Sequence, residues 1–405
     1  MNKKIKRLII SVVLVLGLAG LIHEITSSMP SGKITIYSGP VGGSYYELAS
    51  VYRTELTAMG YDVAIHPMES TAKLLETVNN SREPNTISFM IGRPNETKYP
   101  DIRSLGFVDV QPLFLFYSNA FGRLISLTTL KGRTIVLPPE SSITSQTALK
   151  LLSLYNITTD NTTIKFLPFL EAIAALKNDD AYALFLMLDA KHSEIAELMN
   201  DPKLSTFSYP DMAGILLKLN DLKRVTITAG SYNVLNQVPS QPVDLLAGQV
   251  EIISNKSLDK AAAYALLSTF SNIHHSAALT YPINTYPSFN GLLVRPNEVT
   301  SSYAKAGIPW LYRSFTGTVA VLIDKYLIIG LAIFLLTEIY RSLRYLYEFL
   351  ALSAETLALS TLKRIRLRQE AGKSIGWLGR ASNRWAQNVI ERKSIRQQAA
   401  EIIKK

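Results

Sequence analysis

Short β-rich runs alternate with amphipathic helical segments between residues 33 and 295, and this alternation restricts the folds open to the chain. Strand patterns fall at 33–38, 61–67, 86–91, 110–118, 132–138, 182–188 and 225–230. Helical patterns lie between them, at Tyr46–Met59, Ala72–Val78, Ser145–Leu154, Leu170–Lys177 and Leu258–His274. Strands that alternate with helices of this length predict parallel sheets covered by helices on both faces, which is an α/β fold.

Two segments of this region begin alike, each with a strand, a loop of small polar residues and a helix. They are 36–49 (IYSGPVGGSYYELA) and 135–152 (IVLPPESSITSQTALKLL). Two such units facing each other would form a bilobed receptor. We place lobe 1 at about 30–115 and 218–300, and lobe 2 at about 116–217.

The charge is distributed unevenly along the 405 residues. The chain has a net charge of +10, yet residues 1–7 contribute +4 and residues 341–405 contribute +9, so residues 8–340 carry −3. A nucleic-acid-binding body would be basic, so we expect no nucleic acid partner. The absence of cysteine excludes disulfides, thiolate metal sites and cysteine nucleophiles.

Hydrophobic segments occur near both ends. The first, Leu8–Ile22, follows a basic cluster and is 15 residues long, so within 1–29 it is either an uncleaved anchor or a signal peptide with Ser27 and Ser28 near the cleavage point. The second, 319–340, contains Asp324 and Lys325. A buried soluble helix is the alternative there, but the arginine and aromatic residues that follow favour a transmembrane helix.

Basic residues flank both hydrophobic segments on their outer sides. The positive-inside rule therefore predicts a bacterial inner-membrane protein with both termini in the cytoplasm and residues 30–315 in the periplasm or outside. The tail, 341–405, is predicted to be a basic helix that lies along anionic headgroups, pairs with another helix, or is simply solvated. Its spaced apolar residues are Leu350, Leu357, Leu359, Leu362, Ile365 and Leu367.

Two loops could hold a ligand. In the first, Gly42 and Gly43 precede Ser44 at a predicted helix start, where unpaired backbone N–H groups and a hydroxyl suit a carboxylate or phosphate. In the second, Ser142 and Thr144 stand at another helix start. The alternative is an ordinary glycine turn with a serine cap. Arg93, just after a strand, is either a carboxylate clamp or a solvated loop arginine.

Catalytic patterns are absent from the sequence. The five histidines lack metal-ligand spacing, and no serine-hydrolase, metalloprotease or paired-carboxylate signature occurs. We therefore predict a protein that is not an enzyme and has neither a metal nor a cofactor.

Several segments resemble one family, the TAXI-type solute receptors of tripartite ATP-independent periplasmic (TRAP) transporters. GPVGGSYYELA (39–49) resembles the family's opening signature, and LKGRTIVLPPESSITSQTALKLLSLYNI (130–157) its second-lobe strand, loop and helix. Segments 172–202 and 224–267 are similar to the following unit and to the return to lobe 1. Segment 307–328 resembles an extension of a membrane-anchored branch.

The resemblance implies a type II periplasmic-binding-protein-like fold with N- and C-terminal membrane helices. It also implies capture of a small anionic organic solute (a dicarboxylate, keto acid or amino acid) for permease subunits in the lipid bilayer. The implied ligand contacts are Gly43, Ser44, Tyr45, Ser70, Ser142 and Thr144.

The chain also departs from the family. Ser141 and Ile143 replace two glycines, and Glu69 replaces a third. An acid beside an anion site is unfavourable. A second hypothesis is a sensor or scaffold that uses the same domain and signals through the C-terminal helix. The second anchor supports it, because a delivery receptor needs at most one.

Overall fold

The computed structural model describes residues 31–315 and 317–404, so the predicted N-terminal anchor lies outside the described residues. The strands are β1 (Lys33–Ser38), β2 (Asp62–Pro67), β3 (Thr86–Ile91), β4 (Ile102–Ser118), β5 (Thr134–Leu137), β6 (Thr163–Phe166), β7 (Ala183–Met187), β8 (Leu204–Thr206), β9 (Leu222–Ile227) and β10 (Val243–Asn255).

Helices follow most of these strands. They are α1 (Ser44–Ala58), α2 (Thr71–Asn80), α3 (Ile143–Leu154), α4 (Phe169–Lys177), α5 (Ser193–Asn200), α6 (Met212–Lys218), α7 (Lys260–His274), α8 (Glu298–Ala306), α9 (Trp310–Ser314), α10 (Gly317–Glu370) and α11 (Trp377–Lys404).

The sheet repeats one arrangement twice. In lobe 1, β1 lies between β2 and β3, parallel to both, and the antiparallel strand β10 continues the sheet beyond β3. In lobe 2, β5 lies between β6 and β7, parallel to both, and the antiparallel strand β4 continues the sheet beyond β7. The predicted fold class, a bilobed α/β periplasmic-binding-protein-like fold, is confirmed.

Two long strands join the lobes. β4 and β10 pair with each other from Ile102 opposite Asn255 to Leu113 opposite Leu246, and β4 then continues alongside β7. Sixteen of the 17 residues of β4 are buried because helices cover both faces of the sheet. The two crossing strands therefore connect the lobes through one hydrogen-bonded ladder.

Most of the predicted elements are found, with the largest differences in the two crossing strands. The pattern at 110–118 is the second half of β4, which begins at Ile102. The strand β10 was not predicted, because Asp244, Gly248 and Glu251 interrupt its apolar residues. Its side chains are nevertheless buried on both faces, so no alternation of apolar and polar residues could reveal it.

The chain divides into two compact units, and the boundary between them falls between Leu322 and Ile323. The second unit contains most of α10, which is 54 residues long, and α11. Ala358, Ile365 and Ala386 are buried in this unit, whereas many of its large apolar side chains are exposed. By its length and composition α10 can cross a membrane, and it is a candidate anchor.

Candidate functional site

A cavity of about 610 Å³ lies between the two lobes. Its wall includes the first turns of four helices, α1 and α2 of lobe 1 and α3 and α4 of lobe 2. Each of these helices follows a strand of a parallel set, so their N-termini meet at the carboxyl edges of those strands. Helix N-termini direct unpaired N–H groups and a partial positive charge toward the space that they enclose.

Five of the seven predicted ligand contacts line this cavity, namely Gly43, Ser44, Tyr45, Ser142 and Thr144. Ser70 and Arg93 are not among the lining residues. Ser70 instead caps α2, where its hydroxyl oxygen accepts a hydrogen bond from the Lys73 N–H at 3.4 Å. The Arg93 side chain is exposed, and its positive charge partly opposes the rise that burial causes in the pKa of Glu251.

The hydroxyls of Ser44 and Thr144 are held in similar ways. Ser44 Oγ accepts a hydrogen bond from the Asp189 N–H at 3.0 Å, and Thr144 Oγ1 accepts one from the Met187 N–H at 3.2 Å. Each oxygen therefore has a backbone donor, and each still carries a hydrogen to donate. Ser142 differs, because its hydroxyl accepts from the Ser145 N–H and donates to Ser145 Oγ, both at 3.2 Å.

The rest of the cavity wall is mainly apolar. Its buried apolar members are Leu74, Phe89, Met90, Ile91, Leu186, Met187 and Leu188. Two exposed acids, Glu69 and Glu171, also contribute to the wall. Among the described residues that line the cavity, none is a lysine, arginine or histidine.

Gln111 is a polar member of the wall that the sequence analysis missed. It lies on β4, is 3% exposed and lines the cavity. Its position opposite Gly248 places it where the two crossing strands pair. Sequence alone offered no signal for it, because a single glutamine in an otherwise apolar strand predicts only an interrupted strand.

The lobes contact each other directly around the cavity. Besides the bond from Asp189 to Ser44, the ring nitrogen Nε2 of His192 lies 3.0 Å from the carbonyl oxygen of Gly42. The Thr71 N–H donates to the Ser141 carbonyl at 3.2 Å. The structure is therefore a closed form in which lobe 1 and lobe 2 share hydrogen bonds.

Asp109, on β4, is a buried acid near the residues that join the two lobes. Burial, with a further contribution from the charge of Asp189, raises the pKa of Asp109 to about 7. The Val110 N–H, which donates to Asp109 Oδ1 at 2.8 Å, and the hydroxyl of Tyr281 partly oppose the rise in this pKa. Asp109 is thus a carboxyl group whose ionisation near neutral pH opposes the folded state.

We expect Asp109→Asn to raise the free energy of unfolding by about 2 kcal/mol at pH 8 and to change it little at pH 4. The amide carries no charge, and its oxygen can still accept from the Val110 N–H. In the wild type, the folded state holds the proton of the Asp109 carboxyl more tightly than the unfolded state does. The stabilisation that this protonated carboxyl gives the folded state is therefore complete below about pH 4 and is lost as the pH rises toward 7. Urea titrations at both pH values measure the effect.

The control for that experiment is Asp160→Asn, since Asp160 is exposed. It should leave the free energy of unfolding unchanged at both pH values. Equal effects of the two substitutions would show that burial of Asp109 does not control the pH dependence.

No family model and no curated protein matches this sequence. Among solved structures, the chain is similar to the amino acid ABC transporter substrate-binding protein AbpA from Streptococcus pneumoniae, bound to L-arginine, with 15% identity, 64% of this chain and 94% of that chain covered, and a TM-score of 0.39. It is similar to a truncated, arginine-bound ArgBP from T. maritima, with 13% identity, coverages of 60% and 96%, and a TM-score of 0.38.

A third similar structure belongs to a different functional class. It is full-length CbnR in complex with its target DNA, with 12% identity, coverages of 68% and 83%, and a TM-score of 0.38. The solute receptors and the DNA-bound protein are therefore about equally similar to this chain. What this chain binds has to be argued from its own cleft.

Proposed function

We propose that this chain is a membrane-tethered extracytoplasmic solute-binding protein whose two lobes close around a small organic molecule and deliver it to a transporter. The observation that carries the proposal is the cavity of about 610 Å³ between lobes that share hydrogen bonds at its edge. A volume of this size, mostly apolar with a few converging polar groups, is typical of small-molecule sites.

The proposal extends to a TAXI-type receptor of a TRAP transporter. Its support is the resemblance of both ligand loops, 39–49 and 130–157, whose residues Ser44 and Thr144 line the cavity. The four helix N-termini around the cavity favour a solute that carries negative charge at one point, even though no described lining side chain is cationic. The solute classes considered are dicarboxylates, keto acids and amino acids.

Tethering rests on α10, which is long and apolar enough to cross a membrane. We place the transmembrane part at 319–340, the solute-binding domain at 30–315 outside, and the tail at 341–405 in the cytoplasm, on the basis of the basic flanks. The segment 1–29 is the proposed second anchor or signal.

One observation favours the sensor hypothesis as a second candidate. The helix α10 continues without a break from the proposed span to Glu370. At 1.5 Å per residue, the 30 residues beyond position 340 would extend about 45 Å. A continuous helix can transmit a displacement from the membrane to a cytoplasmic partner, whereas delivery to a permease requires no such extension.

The test uses the full-length chain in lipid nanodiscs, with isothermal titration against dicarboxylates, keto acids and amino acids. We expect Ser44→Ala to weaken binding of any anionic solute that binds by about tenfold, because a hydrogen bond to a charged group is worth about 1.5 kcal/mol and every 1.4 kcal/mol is tenfold. Ser50→Ala is the matched control, since the Ser50 hydroxyl bonds to the Tyr46 carbonyl within α1 and does not line the cavity.

Either of two outcomes contradicts solute capture at this site. One is a well-folded protein that binds none of these solutes and neither octanoate nor octanedioate. The other is binding that Ser44→Ala and Ser50→Ala affect equally. Binding that alters protease protection of the tail, with no transport by a neighbouring permease, would favour the sensor.

A further inference from the structure

We infer that the cleft selects a solute with one hydrogen-bond-accepting head, a single carboxylate, on an apolar body, and that it discriminates against dicarboxylates. This inference rests on the proposed function and specifies its solute class. It follows from the chemistry of the wall, from the orientation of two hydroxyl donors, and from one buried amide.

Among the described residues that line the cavity, no cationic side chain is available to pair with a second carboxylate. Phe89 and Leu186 are each 1% exposed and Met90 is 2% exposed, so much of the lining is the surface of the hydrophobic core. The charged side chains that line the cavity within the described residues are acids, Glu69 and Glu171, which would repel an anion. A carboxylate buried against such a wall without a partner would protonate or would not bind.

The hydroxyl donors mark the position of the head. Ser44 belongs to lobe 1 and Thr144 to lobe 2, yet both accept hydrogen bonds from the same short segment, at Asp189 and Met187. Backbone groups two residues apart in an extended chain are separated by about 7 Å. One carboxylate between the hydroxyls, with a hydrogen bond about 2.8 Å long on each side, could therefore bridge them.

The direction of those hydrogen bonds determines what the hydroxyls recognise. The hydroxyl oxygens of Ser44 and Thr144 each accept a hydrogen bond from a backbone N–H. Among residues 31–315 and 317–392, neither hydroxyl hydrogen has an acceptor. A ligand at this point must therefore supply an acceptor. The first turns of α1 and α3 add backbone N–H donors and favour negative charge at the same place. An ammonium head at this point would face the backbone N–H groups and the positive ends of both helices, which disfavour a cation.

Gln111 provides the independent observation. It is buried and lines the cavity, and no hydrogen bond of its side-chain amide is recorded within the part of the chain that the structure describes. Because the amide faces the cavity, it can donate a hydrogen bond to a ligand oxygen there. Gln111 is thus assigned as a specificity-determining residue of the cleft.

The experiment compares solutes of one length that differ only at their ends. Octanoate, octanedioate and octylamine are titrated into the full-length protein in nanodiscs, with empty nanodiscs as the control for lipid partition, and glutamate is titrated alongside them. We expect octanoate to bind at least tenfold more tightly than octanedioate or octylamine. We expect Gln111→Leu to weaken octanoate binding by about tenfold. Ser50→Ala, whose hydroxyl bonds within α1 and does not line the cavity, should leave octanoate binding unchanged.

The possible failures can be told apart. If octanedioate or glutamate binds as tightly as octanoate, the inferred solute class is wrong while solute capture stands. If octylamine binds best, the assignment of an acceptor head is wrong. If Gln111→Leu folds normally and binds octanoate like the wild type, the role of Gln111 is wrong. If none of these solutes and none of the acids tested above binds, the proposed function itself fails.

Discussion

Replacement of Gly248 by alanine should lower the free energy of unfolding by about 3 kcal/mol or more. Gly248 lies in β10, where it pairs with Gln111 of β4 and Leu222 of β9, and a Cβ atom at this position would overlap Cγ2 of Ile91 at the end of β3. Ile91 is 5% exposed, and its branched side chain packs in the core and also lines the cavity. Cγ2 is bonded directly to Cβ, so the overlap is relieved only by turning this side chain out of its packing or by shifting the backbone of β10. Urea titration followed by hydrogen exchange of the strand amides reports this part of the molecule separately from α10 and α11.

The control is Gly214→Ala. Gly214 lies inside α6, where an added Cβ would meet no atom within 4 Å. Alanine is a better helix former than glycine, so this substitution should stabilise the protein by about 0.5–1 kcal/mol. A Gly248→Ala protein within 1 kcal/mol of the wild type would show that the Ile91 side chain or the β10 backbone can move without cost.

Replacement of Asn85 by alanine should lower the free energy of unfolding by about 3 kcal/mol. Asn85 is 1% exposed, and its amide nitrogen donates to the carbonyl oxygens of Ser31 and Lys33 at 3.1 and 2.9 Å and to Asp259 Oδ2 at 3.1 Å. Its amide oxygen accepts from the Asp259 N–H at 2.9 Å. The side chain thus connects the start of β1 to the residue before α7.

The backbone of Asn85 adds a second, smaller effect. Its φ of 58° lies in the left-handed region, which asparagine tolerates better than alanine. Asn85→Gly removes the same hydrogen bonds but adopts this φ freely, so it should be about 1 kcal/mol less destabilising than Asn85→Ala. Asn200→Ala, which removes one exposed bond to the Ala196 carbonyl, should change the free energy of unfolding by less than about 0.5 kcal/mol. Equal losses in all three variants would contradict this account.

The candidate site was predictable where it lies on helix starts. The glycine loop before Ser44 and the hydroxyl-rich loop before Ile143 are local patterns, because a helix cap is defined by a few consecutive residues. Ser70 was predicted from the family resemblance, and it caps α2, but its side chain does not line the cavity. A capping pattern identifies a helix start, and it does not tell which side of that start faces a cleft.

Sequence alone determined the alternation of strands and helices, the two similar half-units and the uneven charge, because each of these features depends on residues that are close together in the chain. Tertiary structure decided what depends on distant residues meeting. It brought Gln111 of β4 into the cavity wall, placed β10 beside β3, and joined Ser44 to Asp189 across 145 positions. The physical reason is that a strand buried on both faces loses its alternating pattern, and that a cleft is formed by surfaces from two lobes that no local window of sequence contains.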